Sequence, residues 1–240
     1  MKISAHIGFD RRLPMAYAVA VKSLVATSCF TMPIHPILLP DLIAKGDYTR
    51  PTHKKDGQMW DDISCAPMST EFSISRFFVP MLEGFKGWSL FCDSDFLFRA
   101  DVAELFVQAD PKYAVMCVKH EYCPPETTKM DGQIQTVYKR KNWSSFMLFN
   151  NEHPANRILD KELLNAIPGR DLHGFMWLND CEIGGIDPEW NWLEGHSSPE
   201  IDAKAVHYTR GTPDVPGYES APYADEWNAY ADRIPLCKEW

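Results

Sequence analysis

Two acidic residues interrupt an otherwise apolar stretch near the middle of the chain. Residues 88–98 are WSLFCDSDFLF, so Asp93 and Asp95 lie between two short apolar runs. The first run has the length and composition of a strand buried in a sheet. Side chains two positions apart in an extended chain point the same way, so both carboxylates converge beyond the end of that strand. Converging carboxylates are costly without a cation between them, and the pattern predicts a site for Mn²⁺ or Mg²⁺.

The acidic pair also has a purely structural interpretation. Aspartates are frequent in turns, where their side chains bond to the backbone. Capping of the following helix-like segment by Asp95 or Asp101 is the best structural alternative. Because the two charges are inserted between core-like runs, the cation site is favoured, and both interpretations remain open at this point.

Segments with the pattern of strands alternate with segments of helical period. The predicted elements, in chain order, are a strand over 3–9, a helix over 13–26, a strand over 35–39, a surface loop over 45–62, a helix that begins at Ser69 or Thr70 and is disturbed by Pro80 and Gly84, a strand over 88–92, a helix over 101–109, a strand over 113–120, a loop over 123–141, a strand over 145–149, a helix over 154–166 with Ile158, Leu159 and Leu163 inward, and a loop-rich remainder. This alternation predicts a single α/β domain over 1–240, with a mostly parallel central sheet flanked by helices and ligands bound beyond the carboxyl ends of its strands.

Composition supports a single folded core and argues against one class of function. The 240 residues are 45% hydrophobic, which is enough for one core that needs neither metal nor disulfide to fold. The 24 basic and 33 acidic residues give a net charge of −9, which argues against broad nucleic-acid binding.

Cysteine usage and hydropathy predict a cytoplasmic protein. The seven cysteines form no CxxC pair, so reduced thiols are expected rather than a disulfide framework or a zinc ribbon. The N-terminal residues lack the pattern of a signal peptide, and no run of 18 apolar residues occurs. No transmembrane segment is predicted, and peripheral membrane contact is left open.

The acidic pair and five other segments resemble the motifs of GT-A fold glycosyltransferases, in particular the glycogenin-like retaining family (glycosyltransferase family eight) and its bacterial members. The resemblance spans residues 3–212. The other segments are GFDRRLPMAYAVAVKSL at 8–24, TEFSISRFFVPML at 70–82, KNWSSFMLFN at 141–150, and the late pair DPEWNW at 187–192 and VHYTRGTP at 206–213.

The resemblance implies a Rossmann-like GT-A domain that moves a hexose from a UDP-sugar to an acceptor hydroxyl, with retention of anomeric configuration. It implies a nucleotide-binding half over about 1–100, an acceptor half over about 101–240 and a loop-rich C-terminal segment. His207 would join the aspartates on the metal, and this mixed set of nitrogen and oxygen ligands suits Mn²⁺ somewhat better than Mg²⁺. The residues expected to contact the donor are Gly8, Phe9, Asp10, Arg76, Asp93, Ser94, Asp95, Trp143, Ser144, Ser145, Arg210 and Gly211.

Two departures from the family pattern leave alternatives open. The lysine that should follow Gly211 is absent, so Arg210 is the expected substitute on the diphosphate. The family's Asp-Gln pair near the reacting carbon has no clear match, and Asp180 or Glu182 is the candidate catalytic carboxylate. The alternatives are a non-catalytic GT-A protein that binds carbohydrate or nucleotide, and a metal-dependent sugar-nucleotide hydrolase.

Overall fold

The computed structural model describes residues 2–120, 140 and 142–235. The predicted loop over 123–141 lies outside the described residues except at Arg140. The strands, in chain order, are β1 Ile3–Gly8, β2 Ile34–Ile37, β3 Thr52–Lys55, β4 Gln58–Asp61, β5 Ala66–Met68, β6 Trp88–Cys92, β7 Phe96–Phe98, β8 Val115–Cys117, β9 Phe146–Asn150, β10 Ile183–Gly185, β11 Trp192–Leu193 and β12 Ala205–His207.

The helices are short apart from the first. The α-helices are α1 Pro14–Thr27, α2 Leu39–Ala44, α3 Val79–Leu82, α4 Ala103–Val107, α5 Lys161–Leu164, α6 Gly169–His173 and α7 Ala224–Ala231. Short 3-10 helices cover Ser75–Phe78, Trp143–Ser145, Pro154–Ile158, Asp180–Glu182 and Pro188–Asn191.

A six-stranded sheet with the order β10-β8-β9-β6-β1-β2 forms the centre of the molecule. Its strands run parallel except for β9, which is antiparallel to both of its neighbours. Every residue of β6 is buried because both faces of the sheet are covered: Leu90 and Cys92 pack into one core and Phe91 into the other. The predicted α/β fold with a mostly parallel central sheet is therefore confirmed.

A smaller sheet positions the acidic pair. In this sheet β7, which begins directly after Asp95, pairs antiparallel with β12, and β12 pairs parallel with β11. The register places His207 opposite Phe96. Two segments far apart in sequence thereby meet at the carboxyl end of β6.

Three predicted elements are wrong. The segment predicted as a surface loop over 45–62 contains the hairpin of β3 and β4, with β5 added to its edge. Asp56 and Gly57, with φ values of 50° and 80°, join β3 to β4. A two-residue Asp-Gly turn of this kind favours a hairpin, and this signal outweighs the polar composition that suggested a loop.

The two predicted helices over 69–84 and 154–166 are each broken. The first consists of turns, a 3-10 helix and then α3, in which Pro80 lies in the first turn and does not disturb the helix. The second is divided by Asp160, whose side chain accepts a hydrogen bond from Leu163 N and caps α5. The break exposes Ile158 at 51%, contrary to its predicted inward position, while Leu159 is fully buried.

A buried ion pair joins the hairpin to the helical layer. Arg50 donates from Nε and Nη2 to the two carboxylate oxygens of Asp61 at 2.9 and 2.5 Å. Its Nη1 donates to the carbonyl oxygens of Leu164 and Ile167 at 2.9 and 2.8 Å. Both charged side chains are at most 1% exposed. The hairpin is therefore tied to the chain around α5 by a pair whose loss would leave a charge unpaired in the core.

Replacing Arg50 with Met should lower the free energy of unfolding by about 3–5 kcal/mol, because the buried Asp61 would keep its charge with no cationic partner and only the hydrogen bonds from Ser64. Urea unfolding at neutral pH would measure this. The double variant R50M/D61L should recover most of the loss, whereas Arg170→Met, in the exposed pair with Asp171, should change stability by less than about 0.5 kcal/mol. A stable R50M single variant would contradict the role of this pair.

Candidate metal and donor site

Asp93, Asp95 and His207 meet at the carboxyl end of β6. Their ligand atoms all lie within 4.8 Å of one another. The backbone fixes each segment: Asp93 N donates to Ser145 O at 3.0 Å, and Tyr208 N donates to Asp95 O at 3.0 Å. The three predicted metal ligands are thus brought together by strand pairing.

The acidic pair has the properties of a cation site. Asp93 Oδ1 and Asp95 Oδ1 are both buried; Arg76 Nη1 lies 2.7 Å from the first, and no group of the described residues donates a hydrogen bond to the second. His207 Nε2 lies 3.4 Å from Asp95 Oδ1, too far for a strong hydrogen bond. Buried carboxylate oxygens normally have partners, so these atoms fit a divalent cation with mixed oxygen and nitrogen ligands.

The structural alternative holds for Asp101 and not for Asp95. Asp101 accepts hydrogen bonds from Ala103 N at 2.9 Å and from Cys29 N at 3.1 Å, so it stabilises the start of α4. Among the described residues, no backbone N–H donates a hydrogen bond to the Asp95 side chain.

Arg76 lies directly beside the acidic pair. Its Nη1 is 2.7 Å from Asp93 Oδ1 and donates to Ser144 O at 2.9 Å. The guanidinium packs over the rings of Phe72 and Phe91 at 5.3 and 5.2 Å, and the residue is only 4% exposed. This arrangement holds a positive charge at the edge of the cluster, and the contact of Arg76 with the donor stays a prediction.

Burial is the main influence on the Asp93 carboxyl and raises its pKa to about 6. The guanidinium of Arg76 opposes this rise, the carboxylate of Asp95 adds to it, and His207 opposes it. The site therefore disfavours two negative charges even with an arginine present, and added positive charge would be stabilised there.

The segment from Trp143 to Ser145 lines the same region. Trp143 Nε1 donates to His120 O at 3.1 Å, and Ser144 Oγ lies 2.7 Å from His173 Nδ1. Burial, reinforced by the charge of Arg76, lowers the pKa of His173 to about 3, so this imidazole is neutral at physiological pH. The Ser144 hydroxyl therefore contacts a neutral imidazole, while the Ser144 carbonyl oxygen accepts a hydrogen bond from Arg76.

The loop after β1 is held by its own contacts. A Cβ on Gly8 would lie 2.4 Å from the Phe72 ring, so glycine is required there for packing. Asp10 is fully buried and accepts hydrogen bonds from the Arg12 side chain and from Glu71 N. Phe9 packs edge-on against a neighbouring tyrosine, and the serine between the two acidic ligands is buried. The predicted contacts of this loop and of Ser94 with the donor stay predictions.

Arg210 and Gly211 have partners within the protein. Arg210 donates from Nε to Glu194 Oε2 at 2.8 Å and from Nη2 to the other oxygen of the same buried carboxylate. A Cβ on Gly211 would lie 2.7 Å from the Tyr218 ring. For Arg210 to contact a diphosphate as predicted, its guanidinium would have to bind the diphosphate and Glu194 together, or break its contact with Glu194.

Asp180 and Glu182 lie on a surface 3-10 helix. The Asp180 side chain is 93% exposed and pairs with Arg140. Glu182 accepts hydrogen bonds from the backbone and side-chain nitrogens of Asn179 at 2.8 and 2.9 Å, which forms a capping box. Neither carboxylate contacts the three candidate ligands, and their catalytic role stays a prediction.

Two side chains that hold His207 in place were not among the predicted site residues. Asn191 Oδ1 lies 3.1 Å from His207 Nδ1, and the Phe96 ring stacks on the imidazole with centroids 4.5 Å apart. Both belong to motifs visible in the sequence, DPEWNW and the apolar run after Asp95. Their contacts with His207 depend on the small sheet, which the sequence patterns did not predict.

The fold and the chain both have known relatives. No protein-family model matches the sequence. The sequence is 46% identical over 226 residues to Protein CDI of Arabidopsis thaliana. The aligned region covers 92% of this chain and 83% of that protein. The chain belongs to the Protein CDI family. Among the residues of this protein that the structure describes, no helix is both long and apolar enough to cross a membrane.

Three solved glycosyltransferase structures resemble the protein. The apo WbbM bifunctional glycosyltransferase matches with a TM-score of 0.63 and 14% identity, over 98% of this chain and 50% of WbbM. GlyE of Streptococcus pneumoniae TIGR4 matches with a TM-score of 0.59 and 15% identity, over 96% of this chain and 60% of GlyE. The galactosyltransferase LgtC, with donor and acceptor sugar analogues, matches with a TM-score of 0.58 and 12% identity, over 98% of each chain. The chain thus spans about half of WbbM and 60% of GlyE. At these identities the likeness establishes the GT-A fold.

Affinity for Mn²⁺ should fall as the pH drops below about 6. With a raised pKa, Asp93 keeps its proton in the folded protein up to that pH, and a cation must displace the proton before it binds. The dissociation constant should therefore increase by up to about tenfold per pH unit below this value. Calorimetric titrations between about pH 5 and 7.5 would measure it, and a pH-independent constant would contradict the raised pKa.

Proposed function

We propose that this protein is a divalent-metal-dependent glycosyltransferase that moves a hexose from a UDP-sugar to an acceptor hydroxyl. The observation that carries the proposal is the cluster of Asp93, Asp95 and His207, in which Asp93 Oδ1 pairs with Arg76 and the buried Asp95 Oδ1 lacks a hydrogen-bond partner in the described residues. The cluster lies at the carboxyl end of a central strand, which is where α/β folds bind ligands. The glycosyltransferase structures of the same fold support the assignment.

The charges around the cluster suit the departure of a nucleoside diphosphate. Breaking a sugar–phosphate bond leaves negative charge on the departing group, and preformed positive charge stabilises it. A bound Mn²⁺ or Mg²⁺ would supply that charge as a Lewis acid. Arg76 supplies a second positive charge, which is already fixed by Asp93 and by the carbonyl oxygen of Ser144.

Retention of configuration needs little from the protein beyond positioning. In a front-face reaction the departing phosphate oxygen takes the proton of the acceptor hydroxyl while the new bond to the sugar carbon forms. No strong protein base is then required, which is compatible with the partners found for Asp180 and Glu182. We place the donor on the half over about 1–100 and the acceptor on the half over about 101–240, although His207 comes from the second half.

A non-catalytic protein that binds a sugar nucleotide is the second candidate. It is favoured by the engagement of Arg210 with Glu194, because this removes the cation expected to replace the missing lysine. It is also favoured by the surface position of both candidate catalytic carboxylates. Binding without turnover would support this candidate, and release of free sugar without an acceptor would support a hydrolase.

Sugar-nucleotide binding and turnover should require both Mn²⁺ and the cluster. A panel of UDP- and GDP-sugars, screened by thermal shift with and without Mn²⁺, should show stabilisation by a UDP-sugar only with the metal, worth about 2.7 kcal/mol at a hundredfold excess over the dissociation constant. Asp95→Asn and His207→Gln should each lower metal-dependent turnover by about 100-fold or more, since each removes one ligand of the cation.

Asp101→Asn provides the matched control for these two variants. This aspartate lies six residues after Asp95, but its side chain bonds to Ala103 N at the start of α4 and asparagine keeps that acceptor, so its variant should retain turnover per folded molecule. Equal turnover in the wild type and the Asp95 variant would contradict the proposed function.

Asp180→Asn and Glu182→Gln test the remaining assignment. If one of these carboxylates faces the reacting sugar carbon, its variant should lower kcat by about 100-fold and leave the Mn²⁺ dissociation constant unchanged. Turnover at the wild-type rate in both variants would show that these residues serve only the Arg140 pair and the capping box.

A further inference from the structure

A chain of hydrogen bonds leads from the His207 ring to a backbone carbonyl on another segment. His207 Nδ1 lies 3.1 Å from Asn191 Oδ1, and Asn191 Nδ2 donates to Ser145 Oγ at 3.0 Å. Ser145 Oγ in turn donates to Asn142 O at 2.7 Å. Asn191 is completely buried and Ser145 is 5% exposed. The chain thus connects β12 with two 3-10 helices in a region closed to solvent.

The carbonyl at the end of this chain determines the role of every atom along it. Asn142 O can only accept, so the single hydroxyl hydrogen of Ser145 is directed to it. Ser145 Oγ must then accept from Asn191, which places the NH₂ group of the amide toward Ser145 and its oxygen toward His207. An amide oxygen can only accept, so His207 Nδ1 must carry a hydrogen.

The other ring nitrogen faces the acidic pair. His207 Nε2 lies 3.4 Å from Asp95 Oδ1, and stacking on Phe96 holds the plane of the ring. With the ring neutral and its hydrogen on Nδ1, Nε2 presents a lone pair to a carboxylate oxygen. Two lone pairs at this distance repel unless a positive charge lies between them.

Ser145 also fixes one of the aspartates. Its carbonyl oxygen accepts a hydrogen bond from Asp93 N at 3.0 Å, while its hydroxyl supports Asn191. One residue therefore orients the segment of the first ligand and, through the amide, the ring of the third. Both polar groups of Ser145 therefore support the candidate ligands, and its contact with the donor stays a prediction.

We infer that Asn191 is a positioning residue that holds His207 in the Nδ1–H tautomer, with the Nε2 lone pair directed at a divalent cation. The inference rests on the proposed function of the site, because it assigns this cation to the space between Nε2 and the two carboxylates. Ligating histidines commonly donate their other ring hydrogen to a fixed acceptor, and this interaction sets tautomer and orientation. Here the acceptor is an amide whose own orientation is fixed by Ser145.

The tautomer can be measured without metal or substrate. In ¹⁵N-labelled, metal-free protein at about pH 7.5, the His207 ring should show a protonated Nδ1 and an unprotonated Nε2, with its signals identified by their loss in His207→Gln. Asn191→Leu should abolish this preference, since no acceptor remains. Asn191→Asp should restore it, because a carboxylate accepts the same hydrogen.

Metal affinity gives a second readout. Asn191→Leu should weaken Mn²⁺ binding by about 10- to 100-fold in calorimetry, and Asn191→Asp should restore binding to within about threefold of wild type. Ser145→Ala should weaken binding less, because the amide remains but loses its fixed orientation.

Asn150→Leu is the control for the loss of a buried asparagine. Asn150 is 6% exposed, donates to the carbonyl oxygens of Pro111 and Tyr113, and pairs with Trp88 at the opposite end of β6. Its variant should lose stability and keep both the His207 tautomer and the Mn²⁺ affinity.

The outcomes separate this inference from the proposed function. Absence of Mn²⁺ binding in the wild type would overturn the proposed function, and the inference with it. Normal Mn²⁺ binding in the wild type with equal affinity and tautomer in Asn191→Leu would overturn the inference alone. If the Leu variant does not fold, the wild-type spectrum decides, because a His207 ring protonated at Nε2 would contradict the inference.

Discussion

The pairing of β7 with β12 is the constraint on which the site depends. Asp93 and Asp95 repel each other, so the interaction between their carboxylates does not by itself favour an arrangement in which both lie beside a histidine from a distant segment. The backbone hydrogen bonds of the small sheet do so, since they fix Phe96 opposite His207. The site is therefore preformed by strand geometry, and a cation would find its ligands already assembled.

A preformed site of this kind makes the metal-free protein less stable than it could be. Burial and the neighbouring carboxylate raise the pKa of Asp93 even though Arg76 lies 2.7 Å away. The structure limits the penalty by placing one arginine over two phenylalanine rings rather than by adding further basic residues. The buried ion pair of Arg50 and Asp61 is saturated with hydrogen bonds, whereas Asp95 Oδ1 is a buried carboxylate oxygen that lacks a hydrogen-bond partner among the described residues, at the place where a cation would bind.

Sequence patterns were informative where one short segment determines the structure. A fully apolar strand ending in two aspartates predicted β6 with the correct bounds, because burial on both faces leaves a continuous apolar run. The polar hairpin over β3 and β4 was missed because its turn, and not its composition, carries the signal. The partners of Asn191 and Arg210 could not be predicted, since hydrogen bonds between distant segments depend on strand register. His207 was identified only through resemblance to a family motif.

The solved glycosyltransferases share the fold of this chain at low sequence identity, and the chemistry depends on the residues of the site itself. Arg210 is bound to a buried glutamate, so releasing it toward a diphosphate would leave the buried charge of Glu194 without this cationic partner. Moving Arg76 toward a diphosphate would not leave a carboxylate unpaired, because its partner Asp93 would bind the cation instead. In the proposed function, Arg76 is therefore better placed than Arg210 to contact a donor diphosphate, and Arg210 holds the loop after β12 in place.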